Sequence, residues 1–426
     1  MTADDLAQGH GRVSFAAALR FWLKLGFISF GGPAGQIAVM HQELVDRRRW
    51  IDEAHFLHAL NFCMLLPGPE AQQLATYLGW RMHGVRGGIA AGVLFVLPSL
   101  LLIGTLAWLY LTHGENTLIA GTLAGIKPAV IAIVLMAAWR LGRRTLRNPL
   151  LVALALGGGA ARVFDVPFPL AIVCAALLGW LFPGMLRGLA VEDPRAKHAG
   201  ARLSWGGPLR VLGCVSVLWG GAIGALVLGF GWHHPYAQMA WFFTKAALLT
   251  FGGAYAVLPY VFDGAVAHHG WLSAAQMIDG LALGETTPGP LIMIVAFAGF
   301  LGGWQQQALG ADALLLGGVV GAVVATWFTF LPSFLFILGG APLVEASRGM
   351  SRLTAPLAAV SATVVGVIAH LALFLAGHVL VGERVDVPAV GIALAAWCAL
   401  ALFKRSLVEV VVGAAALGLL AQWFMH

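Results

Sequence analysis

The chain has 426 residues, of which 60% are apolar and only 10% charged, with 55 glycines and a mean hydropathy of +0.86. This excludes a soluble multidomain protein, because many of its apolar runs approach the roughly 20 residues that cross a bilayer. The net charge of +6 lies in short loops between those runs, which marks membrane topology and argues against nucleic acid as a partner.

A polar lead covers residues 1–14, beginning with the acidic Met1-Thr2-Ala3-Asp4-Asp5, which lacks the pattern of a cleaved signal. An apolar, helix-prone limb then runs from Phe15 to Phe30 with Arg20 and Lys24 on it. It breaks at Gly31-Gly32-Pro33, and a second limb continues to about Asp46. Arg47-Arg48-Arg49-Trp50 makes a basic interfacial turn, and Asp52 supplies an N-cap for a limb over 53–66. That limb stops at Pro67-Gly68-Pro69, and its partner covers 70–84. Proline cannot continue the helix behind it but suits the start of the next. Limbs of this length reach only ~20–24 Å, short of the ~30 Å hydrocarbon core, so re-entrant helical hairpins are expected. Longer apolar runs follow at 88–111, 117–140, 149–164 and 167–183, then a charged connector at 185–207 and another apolar run at 208–231.

The opening then repeats. A shift of 221 residues brings Lys24 onto Lys245, Phe30-Gly31-Gly32 onto Phe251-Gly252-Gly253, Trp50 onto Trp271, and Pro67-Gly68-Pro69 onto Pro288-Gly289-Pro290. The identities fall at the breaks rather than through the apolar filler. Ser273 to Gln276 reads as a capping box, and after an insertion near 301–312, Leu97-Pro98-Ser99 pairs with Leu331-Pro332-Ser333. Runs at 313–338, 353–378, 387–403 and 406–424 match the four spans of the first half.

If the hairpins return to their own side and the long runs cross, most cations gather on one side, from Arg47–Arg49 to Lys404 and Arg405. The basic turn of the first hairpin becomes Ala267-His268-His269-Gly270-Trp271 in its twin, a change of charge that inversion demands under the positive-inside rule. The expected architecture is an all-α polytopic membrane protein of two inverted-topology repeats. Each repeat carries two re-entrant broken-helix hairpins followed by four spanning helices. The lead is 1–14, the first repeat 15–184, the connector with its linking transmembrane helix 185–234, and the second repeat 235–426. The N-terminus is expected in the cytoplasm and the C-terminus outside.

Inverted repeats with discontinuous helices hold substrate near the midplane in many transporters. Helix N-termini near Pro33, Pro69, Ala254 and Pro290 would point inward, and free N–H groups there suit an oxyanion. The expected binding residues are Lys24, Gly31, Gly32, Asn61, Pro67, Gly68, Pro69, Gln72, Gln73, Lys127, Lys245, Gly252, Gly253, Thr286, Thr287, Pro288, Gly289 and Pro290. The bland readings are that the lysines snorkel to the interface and the amides bridge helices. Lys127 lies near the centre of its run, where a charge is expensive. Glu70 and Glu285 are the candidate proton-coupling carboxylates, and Glu70 could instead complement a helix dipole. His55 and His58 share a helix face without a third ligand, so no metal is expected there, and His370 is a weaker proton-relay candidate. Cys63, Cys174, Cys214 and Cys398 offer neither disulfide nor zinc spacing. No hydrolase or phosphate-loop motif is present, so no enzymatic activity and no cofactor are expected.

At Phe30-Gly31-Gly32-Pro33, Asn61, Leu66-Pro67-Gly68-Pro69-Glu70-Ala71, Gln73-Leu74-Ala75 and Gly79, the sequence resembles the chromate ion transporter family in its long, two-domain form. Met64 departs from the polar, glutamine-like residue that this resemblance leads one to expect before the break. The resemblance implies secondary export of chromate across the bacterial cytoplasmic membrane, conferring chromate resistance. The residues alone fit any tetrahedral dianion, so a sulfate or other oxyanion carrier, or a passive anion channel, stays open. The expected partners are the oxyanion, a coupling proton and the lipid bilayer, with a homodimer as an admissible assembly.

Overall fold

The computed structural model describes residues 13–425 apart from 31, 65, 115, 165, 183–205, 252, 347–353 and 382–384. Every element among the described residues is helical. Gly31 and Gly252 of the expected site, and most of the charged connector, lie outside the described residues.

The first hairpin is α1 (Phe15–Ile28) and α2 (Gly32–His41), whose last turn widens to a π-helix over Gln42–Arg47. The Ser14 side chain caps α1 by accepting from the Ala17 N–H. The second hairpin pairs α3 (Glu53–Cys63), capped by Asp52 as its sequence implies, with the first part of α4 (Glu70–His113). α4 combines the expected limb and the span after it, but the backbone leaves helical geometry at His83 and Gly84, where Gly84 takes φ 62°. α5 (Thr117–Thr145), α6 (Pro149–Val163) and α7 (Phe168–Leu181) close the first half. α8 (Gly206–Phe230) links it to the second.

The second half follows the order of the first through both hairpins at the 221-residue shift. α9 (Pro235–Leu249) is followed by α10 (Ala254–Phe262), whose π-helical extension covers Asp263–His268. Adding 221 to the first extension, 42–47, gives 263–268. α11 (Ala274–Thr286) carries the capping box of Ser273 and Gln276, and Pro290 opens a 3₁₀ turn that runs into α12 (Ile294–Gln305). Positive φ angles obey the same shift: Gly32 and Gly253, Arg49 and Gly270, and Gly68 and Gly289. α13 (Leu314–Ala346), α14 (Thr354–Leu380), α15 (Val387–Ala401) and α16 (Leu407–Met425) complete the chain.

Among the described residues five helices are long and apolar enough to cross a membrane: α4, α5, α8, α13 and α14. The runs that form α6, α7, α15 and α16 are expected to span, yet their apolar helices are shorter. Asn148-Pro149, Pro167, Asp386-Val387-Pro388 and Ser406 set their starts, because a cap or a proline fixes where each helix begins.

The core lies where the hairpins meet the long helices. α12 is enclosed throughout, with Ile294 to Gly303 all buried. It packs on α13 through small residues at four-residue spacing. A Cβ at Gly299 would stand 2.4 Å from the Gly321 carbonyl oxygen, and one at Gly303 would stand 2.2 Å from that of Gly317. Backbones approach this closely only without side chains between them.

The two hairpin turns differ in charge. Glu43 receives Arg47 at 2.8 Å and Arg48 at 3.2 Å. Burial works against its charge, but those guanidiniums hold its carboxyl below the ordinary value. In the second turn His269 stacks on Trp271, and burial, then the charges of His268 and Lys245, push it down to about 4. His269 is therefore neutral at physiological pH.

The tip glycines set up a test. Gly68 takes φ 123°, and a Cβ there would lie 2.5 Å from Ser333 Oγ; Gly289 takes φ 108°, with Ser99 Cβ at 2.5 Å. Gly84 also has positive φ, with nothing within 4 Å. Gly84→Ala carries backbone strain of about 1–3 kcal/mol but no clash. Gly68→Ala and Gly289→Ala add a steric clash to such strain, so each should lower the thermal unfolding temperature of the solubilised protein further than Gly84→Ala does.

Candidate functional site

The four helix breaks converge at one crossing. The Gly68 N–H at the tip of the second hairpin donates to the Thr250 carbonyl, 2.7 Å away, where α9 ends. The Gly289 N–H donates to the Ser29 carbonyl, 2.8 Å away, where α1 ends. Each bond maps onto the other under the 221-residue shift. When residue i of one half meets j of the other and the counterparts meet in return, the halves are related by an approximate two-fold axis.

The long helices take part in the same exchange. Ser333 of α13 lies against Gly68, and Ser99 of α4 lies against Gly289. Pro98 and Pro332, which precede these serines, each remove a backbone donor from their helix. Gln73 donates through Nε2 to the Pro67 carbonyl at 2.7 Å and reaches Ser333 Oγ at 3.5 Å. Gln36 Nε2 donates to the Gly289 carbonyl.

Several polar atoms here are buried without a protein partner: Ser29 Oγ, Gln36 Oε1, Gln73 Oε1 and Ser99 Oγ, with Gln72 Oε1 nearby on α4. An unmatched buried polar atom costs about 1–3 kcal/mol, so a cluster of them marks a place built to meet something else. Helix starts at Gly32, Pro69, Gly253 and Pro290 bring unpaired first-turn N–H groups and partial positive charge to the same region.

Two carboxylates flank the crossing. Glu285 is buried at the end of α11 and accepts from the Tyr255 hydroxyl, 2.9 Å away. Glu70 begins α4 and faces the start of α10, where a Cβ at Gly253 would lie 3.7 Å from its Oε1. Met64, the positional counterpart of Glu285, takes Arg144 Nη2 on its sulfur at 3.4 Å.

The expected residues divide sharply. Gly32, Pro67, Gly68, Pro69, Glu70, Gln72, Gln73, Gly253, Glu285, Pro288, Gly289 and Pro290 lie at or beside the crossing. Thr286 and Thr287 are there too, but their hydroxyls donate to the Leu283 and Gly284 carbonyls of their own helix. Asn61 is exposed on α3. Lys24 and Lys245 are exposed on the outer faces of α1 and α9, and Lys245 sits 5.7 Å over the Trp241 ring. This is where snorkelling places a lysine. Lys127 pairs with Asp279 in the middle of α11 at 2.8 Å, away from the tip. Sequence reading passed over Ser29, Gln36, Ser99, Thr250, Tyr255 and Ser333. The aligned Ser29 and Thr250, and the repeated Leu-Pro-Ser, carried a usable signal for four of them.

A multi-pass helical bundle whose broken helices meet at an internal polar crossing defines a membrane transporter, not an enzyme. The chain belongs to the chromate transporter family, whose profile, described as "Chromate transporter", matches residues 16–180 and 237–419. It is 34% identical over 417 residues to a chromate transport protein of Pseudomonas aeruginosa, covering 97% of this chain and 93% of that protein. A chromate transport protein of Cupriavidus metallidurans is 30% identical over 407 residues, covering 95% and 93% respectively. A probable chromate transport protein of Synechococcus elongatus is 29% identical over 341 residues, covering 80% and 79%. No solved structure matches the chain.

The Tyr255–Glu285 bond gives a local test. Tyr255→Phe removes the donor and leaves a buried carboxylate oxygen unmatched, so it should destabilise the solubilised protein by about 1–3 kcal/mol. The double variant Tyr255→Phe/Glu285→Leu should recover part of that loss in thermal unfolding.

Proposed function

We propose that this protein is a secondary transporter that exports chromate from the cytoplasm across the bacterial cytoplasmic membrane, with the anion held at the crossing of the four helix breaks. The relatives named above are chromate transport proteins, and chromate is a tetrahedral dianion. Helix N-termini and neutral hydroxyl and amide groups suit such an anion, since they stabilise its charge without a matching buried cation. The observation that carries the reading is the reciprocal pair of tip contacts, Gly68 to Thr250 and Gly289 to Ser29. Those bonds close the crossing directly, which favours a carrier with alternating access over an open pore.

In this reading the two-fold axis lies in the membrane plane and the repeats are inverted, with re-entrant hairpins and the N-terminus in the cytoplasm. The basic first turn and the neutral second turn support it. Glu70 couples the anion to a proton. Ionised, it repels a dianion by several kcal/mol at about 5 Å and an effective dielectric of about 20. Protonated, it donates to the anion, so each occupancy shifts the other's affinity reciprocally. Glu285 is less available, because Tyr255 already binds one of its oxygens.

Inside-out vesicles with labelled chromate and sulfate test the function. Accumulation against a gradient, driven by an imposed pH or voltage difference and stronger for chromate, is expected. Flux that only equilibrates would establish a channel, and a sulfate preference would move the protein to another oxyanion. Glu70→Gln should keep anion binding while flattening its pH dependence, and pH-driven accumulation should stop. For topology, single cysteines replacing Arg48 and His269 should react with an impermeant thiol reagent from opposite faces; reaction from one face overturns the inversion.

A further inference from the structure

In the second half, α11 is tied to the first half at its middle, away from the Pro288-Gly289-Pro290 tip. Lys127 Nζ of α5 lies 2.8 Å from Asp279 Oδ1 of α11, and the Tyr110 hydroxyl of α4 donates to Asp279 Oδ2 at 2.9 Å. Asp279 is thus held through both oxygens, one on each of two long helices. Arg162 of α6 meets Asp263, at the end of α10, 2.5 Å away. In the first half the charges of the corresponding turn pair locally: Glu43 with Arg47 and Arg48, and His41 with Glu53. His58 occupies the position of Asp279 in the first half.

The two members of the pair are unequally enclosed. The Asp279 side chain is 6% exposed and that of Lys127 is 30% exposed. The ammonium opens into a cavity of about 270 Å³ lined also by Ala124, Pro128, Ile278, His378 and Asp386. His378 and Asp386 are exposed and form the rim; His378 Nδ1 is bonded to the Phe374 carbonyl, and Asp386 Oδ1 caps α15. Lys127 therefore places an ammonium inside the rim. Its contact with Asp279 rests on charge more than direction, because Oδ1 accepts no aligned hydrogen bond. An ammonium has three donors, so two remain for a second partner.

We propose that Lys127 is the docking cation of a vestibule for a tetrahedral oxyanion, separate from the crossing, and that Asp279 competes with the anion for it. Anion bound in the vestibule weakens the Lys127–Asp279 tie and frees the middle of α11, whose C-terminal end carries Glu285 and leads into the Pro288-Gly289-Pro290 tip. Passage of the anion into the vestibule and release of α11 are then one event. The rim residues His378 and Asp386 and the loop before α5 share one end of the bundle, the outer end in the orientation proposed above, so in export the vestibule receives the anion after the crossing and before its release. The inference rests on the reading of the protein as an oxyanion transporter.

The test uses the full-length solubilised protein with chromate and sulfate as probes. Asp279→Asn keeps an oxygen for Tyr110 but removes the competing charge, so it should tighten anion binding by about fivefold or more, within the usual range for linked sites. Lys127→Gln added to it should abolish that gain. The charge swap Lys127→Asp/Asp279→Lys separates a gate from a strut. It should restore the thermal stability lost in the single variants but leave vesicle transport impaired, since the vestibule then presents a carboxylate. Unchanged affinity in Asp279→Asn, or full transport by the swap, overturns the proposal. Failure of the unaltered protein to bind either anion would instead sink the function proposed above.

Discussion

A helix broken inside a membrane leaves backbone N–H and C=O groups with nowhere to go, and hydrocarbon does not forgive them. Here the two halves satisfy each other. Each Pro-Gly-Pro tip gives its glycine N–H to the carbonyl left open where the opposite half's first helix stops. Neither half can do this alone, because its own partner groups lie in the other. The requirement also explains the glycines: Gly68 and Gly289 adopt positive φ and sit so near Ser333 and Ser99 that no side chain fits. The rest of the bundle is arranged to hold these tips in register.

Within that near-symmetry the two tips have different chemistry. The first places its polar groups after the break, as Glu70, Gln72 and Gln73, whereas the same positions in the second are Leu291, Met293 and Ile294. The second places them before the break, as Glu285, Thr286 and Thr287 opposite Met64 to Leu66. A near-symmetric scaffold thus carries unlike chemistry at its two tips. The unpartnered Ser29, Gln36 and Ser99 atoms gather at the second tip; at the first, Gln73 Nε2 reaches Ser333 Oγ while Gln73 Oε1 stays unpartnered.

Much of this was legible in the sequence because breaks in membrane helices need special residues. Gly-Gly-Pro and Pro-Gly-Pro announced the tips, Asp52 and Ser273 the caps, and the 221-residue shift the duplication. Sequence could not say which side of a helix faces inward when both sides are apolar. Lys24 and Lys245 were therefore expected at the site yet lie on the outer surface, and Lys127 was matched to an anion before its Asp279 partner was visible. Ser99 and Ser333 were recognised as a repeat but not as part of the site, since only the fold brings them to tips about 190 and 265 residues away. The short α6, α7, α15 and α16 escaped because apolar runs do not show where a cap will start a helix.

The linking helix α8 raises a different matter. Only 6% of its most apolar window is buried, although it leans on α9 and α13 and Trp219 donates to Thr244. It therefore adds little to the cohesion of the bundle. What it supplies is connectivity, since it leads from α7 of the first half to α9 of the second. The halves hold each other by packing: α14 lies against α5, α6 and α7, and α16 lies against α5. Cohesion therefore rests on that contact, and α8 is left free to be a link that the core of the bundle does not need.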